Sequence, residues 1–540
     1  MNQAPTRNFT LSRPEWWLAI SITLLVVAFH FYFWRQVGGL WRDEVNSLNI
    51  AQVASLSDMT RDSFPVLMPL VIRGWVALRL DQTDLMLRTL GLLIGLGIVG
   101  ALWLASWKTR QSPPWFGLVL FGMNSVLIIF GDSIRPYGLG CLTIVLAAGA
   151  TLRFLQHPGW WRFAWLALTC VAAVQSLYHN AVLVGALCAG AVAVCLRWKM
   201  WRACVQIFLA GALAAASLWP YRAILMPQNL STAVLKTGLN PERFLDGLID
   251  TFGFPVPQYL YVWAVLGLAV LILGAMALRP DRSQQGNFEA DLRLFAAVTL
   301  ICGGAGFCLF LWLAAMPSQS WYWLPPMAVA AICVDAAWPR LTGRRGAAFF
   351  GLLAASALIA VPISKQNLAF HFTNVDVEAH RLSQEAGPND YIVVVPWYCG
   401  ISFAHYFNGA TQWDTLPPVA DHSTHRYDLV RQQIQDTNAI APVLERMAAT
   451  LKSGHRVWVL ADSGWMGIPD AGTAAAPSLP PAPLAASGWS EKPYTLVWVS
   501  QTAHFLADHS RLRAVDDKPP GEHTAECTGL YLAEGWKDHR

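Results

Sequence analysis

Apolar positions in this chain come in long unbroken runs rather than in alternation. Eleven such runs, near 16–35, 86–106, 114–131, 137–152, 163–178, 180–196, 203–221, 257–278, 294–316, 320–338 and 346–364, carry almost no charge. Most are about 18 to 22 residues, long enough as helix to cross roughly 30 Å of hydrocarbon. The first is too long for the apolar core of a signal peptide and lacks a small-residue cleavage site, so it reads as a retained anchor. The segment Pro65–Leu80 leaves two readings. Counted as a span, it inverts everything after it and puts Lys108 and Arg110 outside. Its two arginines, Arg73 and Arg79, and its flanking acids suit a helix lying along the outer interface, which is the reading adopted.

Lysine and arginine in the connections orient the spans. With the N-terminus inside, the inside segments hold Arg7 and Arg13; Lys108 and Arg110; Arg153 and Arg162; Arg197, Lys199 and Arg202; Arg279, Arg282 and Arg293; and Arg340, Arg344 and Arg345, fifteen in all. An odd number of spans then places the C-terminus outside. From about 365 the pattern changes to polar and proline-rich stretches with shorter apolar pieces. Tyr391–Trp397, Arg456–Ala461 and Tyr494–Ser500 read as buried strands, and Asn374–Ala386 and Ala441–Leu451 as helices between them. Alternating strands and helices predict a small α/β domain, interrupted at 471–484 by an Ala- and Pro-rich loop or disordered insertion. The expected fold is an α-helical polytopic membrane protein of about 11 transmembrane helices with a C-terminal soluble α/β domain. Its boundaries are 1–364 for the membrane module, with a first outer loop at about 36–85 carrying interfacial helices, and 365–540 for the domain.

Composition agrees. Hydrophobic residues make up 55% of the chain and charged residues only 13%, against about a quarter in soluble proteins. A dispersed net charge of +4 gives no footprint for nucleic acid, and the 26 tryptophans suit bilayer interfaces. Of the ten cysteines, eight lie in apolar runs without metal-ligand spacing and read as packing residues. Cys399 and Cys527 lie in the polar region; facing an oxidising compartment they form a disulfide, and otherwise they are two unpaired thiols.

The candidate chemistry gathers on one side. Trp41-Arg42-Asp43-Glu44 opens the first outer loop, and two adjacent carboxylates beside hydrocarbon are costly unless solvated or used. Such a pair serves either as general base toward an incoming hydroxyl or amine or as an oxygen ligand for a divalent cation such as Mg or Mn. Asp132-Ser133-Ile134-Arg135-Pro136-Tyr137 lies between the third and fourth runs. The planar fork of Arg135 matches phosphate oxygens; Tyr137 is an interfacial anchor or a substrate hydroxyl contact; Asp132 either pairs with Arg135 or faces an acceptor. Tyr178-His179-Asn180 forms a short outer connection, with His179 an interfacial polar residue or a substrate contact. Ser320-Trp321-Tyr322-Trp323 adds aromatics, Tyr322 among them, suited to stacking on a sugar or an isoprenoid.

These landmarks, with Pro65-Val66-Leu67 and Leu87-Arg88-Thr89-Leu90-Gly91 between them, resemble in order those of bacterial GT-C glycosyltransferases. The group concerned is the protein O-mannosyltransferase and aminoarabinose transferase-like superfamily, and the motifs cover about residues 15–200. The resemblance implies a glycosyltransferase that takes sugar from a polyprenyl-phosphate donor on the periplasmic side of a bacterial inner membrane. It implies Asp43 as catalytic base with Glu44 beside it, and Arg135 and Tyr137 at the carrier phosphate. Arg42, Asp132, His179 and Tyr322 are the expected substrate contacts, and the acceptor is a lipid, a protein or a polysaccharide. One departure is visible: relatives carry His or Lys before paired prolines in the interfacial helix, and here the stretch reads Ser63-Phe64-Pro65-Val66, leaving Arg61 or Arg73 as the nearest basic groups. The chain has no nucleotide-binding Gly-rich loop, which fits a lipid-linked donor. The rival reading is a lipid or polysaccharide transporter; transporters carry polar groups near the midplane and repeated halves, whereas here the run centres are nearly free of charge and no internal repeat is seen.

Overall fold

The computed structural model describes residues 13–60, 63–222, 240–278, 288–314, 316, 318–339, 343–462, 478–484, 489–516 and 524–537. The chain divides into two compact units. The first holds residues up to Arg35, Phe64–Arg222 and Gly238–Leu368; the second holds Gln36–Ser63 and Ala369–Arg540. The head of the first outer loop, grouped with the membrane module in the sequence reading, thus clusters with the C-terminal residues.

The first unit is helical. Its long helices are Arg13–Gln36, Asp84–Arg110, Pro136–Gln156, Trp160–Ser176, Asn180–Arg197, Trp201–Ala216, Tyr259–Ala277, Phe288–Leu313, Leu324–Ala337 and Gly343–Asn367. Among the described residues, eight helical segments are long and apolar enough to cross a membrane. Three of the expected spans fall short of that length. Trp160–Ser176 has 17 residues and Leu324–Ala337 has 14. The run at 114–131 is broken: a wide π-helical turn, Gly117–Gly122, gives way to a new helix, Ser125–Gly131, whose first turn is capped by the Asn124 side chain accepting from the Val126 amide at 2.9 Å. Leu67–Ala77 is an 11-residue helix, too short to span.

Helix faces show what solvent this unit is built for. On Tyr259–Ala277, Tyr261, Val265, Leu268 and Ile272 all point outward, a stripe at helical spacing made of apolar side chains. Such a stripe on many helices is stable only against lipid. Charges at the ends of the apolar runs are paired inside the unit. Arg110 donates to the carbonyls of Asp335 and Trp338, both at 2.6 Å, and so caps the end of Leu324–Ala337. The Asp335 carboxylate accepts from the Phe116 and Gly117 amides at 3.0 and 2.9 Å.

The second unit is a small α/β domain, as expected. Its strands are β1 (His371–Thr373), β2 (Tyr391–Val395), β3 (Gln412–Thr415), β4 (Val457–Asp462), β5 (Arg511–Asp516), β6 (Thr524–Glu526) and β7 (Thr528–Glu534). Five form one sheet in the order β3-β2-β4-β7-β5, parallel from β3 through β4 and antiparallel beyond. β1 and β6 pair separately and in parallel. The helices Val375–Glu385 and Ala441–Lys452 stand where the pattern placed them. Tyr494–Ser500 does not form the expected strand; it lies within an 18-residue helix, Lys492–His509. The β-branched and aromatic content of that stretch favours strand locally. Burial of Tyr494, Val497, Trp498, Thr502 and Leu506 follows the helical period instead, and packing of that face decides. Of the insertion at 471–484, residues 471–477 lie outside the described residues and 478–484 have no regular structure.

One close approach positions the candidate site. A Cβ at Gly91 would meet the Asp132 carbonyl oxygen at 1.7 Å, so only glycine lets the helix Asp84–Arg110 pass the turn that carries Asp132 and Arg135. Gly91→Ala is expected to cost about 1–3 kcal/mol through overpacking, read as a fall in the thermal unfolding midpoint of the detergent-purified protein.

Candidate functional site

Asp43 and Glu44 lie in the first turn of the helix Arg42–Gln52, where the unpaired amides and the helix dipole favour carboxylates. The helix is anchored within the second unit. Trp41 stacks on Phe372 with ring centroids 5.1 Å apart, and the Leu40 amide donates to the Tyr406 hydroxyl. The Arg42 guanidinium lies 4.2 Å from the Tyr398 ring and donates through Nη1 to Glu526 Oε1 at 3.3 Å. Glu526 is fully buried and also accepts from Ser402 at 2.8 Å. Burial alone would lower the Arg42 pKa; the charges of Glu526 and Asp43 outweigh it and hold the guanidinium firmly protonated.

The Asp43 carboxylate meets His425 of the C-terminal residues, with Nε2 to Oδ1 at 2.9 Å, and Arg42 Nε lies 3.8 Å from the same oxygen. Both side chains are mostly shielded, 17% exposed for Asp43 and 13% for His425. Glu44 is wholly buried. Successive residues on a helix project about 100° apart, so Asp43 and Glu44 do not act as one chelate. Among the described residues no group of three or more His, Cys, Asp and Glu is placed to hold a metal ion.

Position in the sheet adds meaning to this cluster. The chain leaves β2 for β3 on one side and returns to β4 on the other, so the carboxyl ends of β2 and β4 flank a topological switch point, the place where open α/β sheets take ligands. Trp397 and Tyr398, immediately after β2, are the residues against which His425 and Arg42 pack. Trp397 donates to Glu491 at 2.9 Å. Burial pushes the Glu491 carboxyl up to about 7, against the pull of the Trp397 hydrogen bond and the Arg42 charge.

In the first unit, Arg135 stands just before Pro136, which holds it in the extended conformation and starts the helix Pro136–Gln156. Its buried guanidinium lies 4.7 Å from the Phe64 ring and 5.9 Å from the Tyr137 ring. At the place where the resemblance leads one to expect a basic residue, Phe64 thus offers the arginine a π face instead of a like charge. Tyr137 is ringed by Phe64, Trp321 and Tyr322 at 5.7, 6.1 and 6.3 Å, and Tyr322 lies 6.1 Å from His179. Arg135, Tyr137, Tyr322 and His179 therefore form one cluster. Asp132 does not use Arg135 as its partner: both its carboxylate oxygens face His30 Nδ1, at 2.8 and 2.9 Å, in a buried pair.

The expected disulfide is not formed; Cys399 and Cys527 are both thiols. The Glu526 side chain reaches Ser402 on the helix Cys399–Tyr406, and side chains alternate along extended backbone, so that of Cys527 turns the other way. Sequence reasoning missed His425, Tyr398, Glu526 and His30. His425 is 382 positions from Asp43, and its one local signal is the charged stretch Asp421-His422-Ser423-Thr424-His425-Arg426.

No protein-family model and no curated protein matches this sequence. Solved structures do. ArnT from Cupriavidus metallidurans in the apo state aligns with a TM-score of 0.53 at 12% identity, over 84% of this chain and 94% of ArnT. The same enzyme bound to undecaprenyl phosphate gives 0.51 at 12% over the same shares. The oligosaccharyltransferase of Archaeoglobus fulgidus in its apo form gives 0.50 at 10%, over 95% of this chain and 81% of that one. The chain has the GT-C glycosyltransferase fold of these polytopic membrane enzymes.

The raised Glu491 carboxyl has a sign that can be checked. Unfolded, the group titrates near 4.5; folded, near about 7. Over that interval the native state binds the extra proton, so this contribution to stability is full below 4.5 and is lost as the pH rises through about 7. Glu491→Gln is expected to flatten the decline of the unfolding midpoint between those pH values, measured by tryptophan fluorescence melts.

Proposed function

We propose that this protein transfers a glycosyl group from a polyprenyl-phosphate carrier to an acceptor hydroxyl or amine on the periplasmic face of a bacterial inner membrane, with its N-terminus cytoplasmic and its C-terminal domain periplasmic. The observation that carries the reading is the Asp43 carboxylate, on the first helical turn after the first membrane-length helix of a GT-C fold. That ArnT has been solved with undecaprenyl phosphate supports the donor class.

Asp43 acts as general base. It takes the proton of the acceptor as the acceptor oxygen or nitrogen forms its bond to the anomeric carbon. The bond from that carbon to the phosphate oxygen breaks in the same displacement, the electron pair leaves with the phosphate, and the configuration inverts. Charge develops on the departing phosphate, and a guanidinium is the group that stabilises it best; Arg135 has that role, with the Tyr137 hydroxyl beside it. The Phe64 and Tyr137 rings lie against the Arg135 guanidinium, a weakly hydrated cation suited to an anion. His179 and Tyr322 line the same side, and Arg42 holds the Asp43 turn. Asp132, paired with His30, braces the turn on which Arg135 stands. The divalent cation considered from the sequence would have Asp43 or Glu44 as a single ligand, and no step here depends on it.

Two substitutions test the assignment in detergent-purified protein offered a panel of polyprenyl-phosphate hexoses and pentoses, with release of polyprenyl phosphate as the readout. Asp43→Asn is expected to lower turnover at least about 100-fold while the unfolding midpoint stays near that of the wild type; full turnover removes Asp43 as base. Arg135→Lys keeps the charge but loses the fork, and the donor KM is expected to rise about tenfold. An unchanged KM would place the carrier phosphate elsewhere.

A further inference from the structure

The C-terminal domain gives the Asp43 helix more than a surface to rest on. Three residues on one face of that helix, Asp43, Asn46 and Asn49, meet a single stretch of the C-terminal residues. His425 Nε2 lies 2.9 Å from Asp43 Oδ1, the His425 amide donates to Asn46 Oδ1 at 3.0 Å, and Asn49 Nδ2 donates to the Ser423 carbonyl at 2.8 Å. That stretch is itself braced. Arg426 bridges Asp421 at 2.6 Å and Asp428 at 2.8 Å, and the Ser423 amide and hydroxyl both donate to Asp421 Oδ1. The His425 ring is fixed as well, stacked on Tyr427 at 6.0 Å and set edge-on to Trp397 at 6.3 Å.

The chemistry of the ring decides its direction of donation. His425 Nδ1 is buried and has no hydrogen-bond partner among the described residues. A proton on Nδ1 would leave a buried N–H unsatisfied and turn a nitrogen lone pair toward the carboxylate. A proton on Nε2 makes a charge-assisted bond to Asp43 and leaves one acceptor nitrogen unpaired instead of two opposed lone pairs and an unpaired N–H. The bond fixes the carboxylate's rotation about the terminal side-chain torsion, which is otherwise broad. A base so held presents its lone pair before the acceptor arrives.

We propose that His425 is the positioning residue for the Asp43 carboxylate, so that the C-terminal domain is a working part of the transfer machinery and not only a cap or an acceptor selector. This inference rests on the reading of Asp43 as base given above.

The test uses the full-length protein and whichever polyprenyl-phosphate sugar of the panel the wild type turns over fastest. Partners that orient a working group are typically worth about 10- to 100-fold. His425→Ala is expected to lower kcat within that range with the donor KM unchanged within about twofold. His425→Gln, which keeps an N–H donor at the place of Nε2, is expected to recover most of the loss. A merely structural contact would instead lower the unfolding midpoint and the yield of both variants, without a kcat-only defect or a rescue by glutamine. Wild-type kcat in His425→Ala, or a loss that glutamine does not relieve, overturns the inference and leaves Asp43 as base wherever Asp43→Asn is inactive. Full activity of Asp43→Asn, or no turnover by the wild type on any donor, overturns both.

Discussion

A charge next to hydrocarbon has to be answered, because no water is at hand to solvate it and moving it away costs the chain its span. That constraint organises this molecule. Within the helical unit, Asp132 is answered by His30, Asp335 by two helix amides, Arg110 by the carbonyls of a helix end, and Arg135 by aromatic faces. These answers differ in what they leave behind. Arg110 is spent on carbonyls and serves the fold. Arg135 lies against the Phe64 and Tyr137 rings, whose π faces stabilise a cation.

The same distinction applies to the turn that opens at Trp41. Arg42 is committed to Glu526 and Tyr398, and with Trp41 on Phe372 it fixes where the helix Arg42–Gln52 begins. Asp43, one position on, meets the His425 ring at 2.9 Å and has Arg42 Nε 3.8 Å from the same oxygen. Adjacent residues of one turn are thus held differently, one by a buried carboxylate and an aromatic ring, the other by an imidazole.

Much of this was legible in the sequence, and what was not has a physical cause. Run length and absence of charge suffice for helices that face lipid, because the bilayer imposes a length and every backbone group must be satisfied locally. They do not separate one long helix from two: the break at Met123 and Asn124 is invisible to hydrophobicity, since both pieces are apolar and only the Asn124 cap marks it. In the C-terminal domain, β2 and β4 were readable as short apolar runs, while Tyr494–Ser500 was misread because a seven-residue window cannot tell a buried strand from one face of an 18-residue helix. Clusters formed by neighbours in sequence, such as Arg135 with Tyr137, were open to inspection. Pairs such as His30 with Asp132 and Asp43 with His425 exist only through the fold, and a histidine in a run of other polar residues gives no sign of which carboxylate it will meet.

The helix Arg42–Gln52 begins beside the chain that leaves the carboxyl end of β2. In an open α/β sheet that edge gathers loop ends and leaves a crevice because neighbouring crossovers diverge there. Here a segment of the chain's own first loop packs past the end of β2, with Arg42 over Tyr398 and Asp43 against His425. An edge that in a free-standing domain takes a ligand here packs against a helix of the chain's own. Tyr398, Glu526 and His425 all bear on the start of the helix Arg42–Gln52, so the second unit sets the positions of Arg42 and Asp43 through its own side chains.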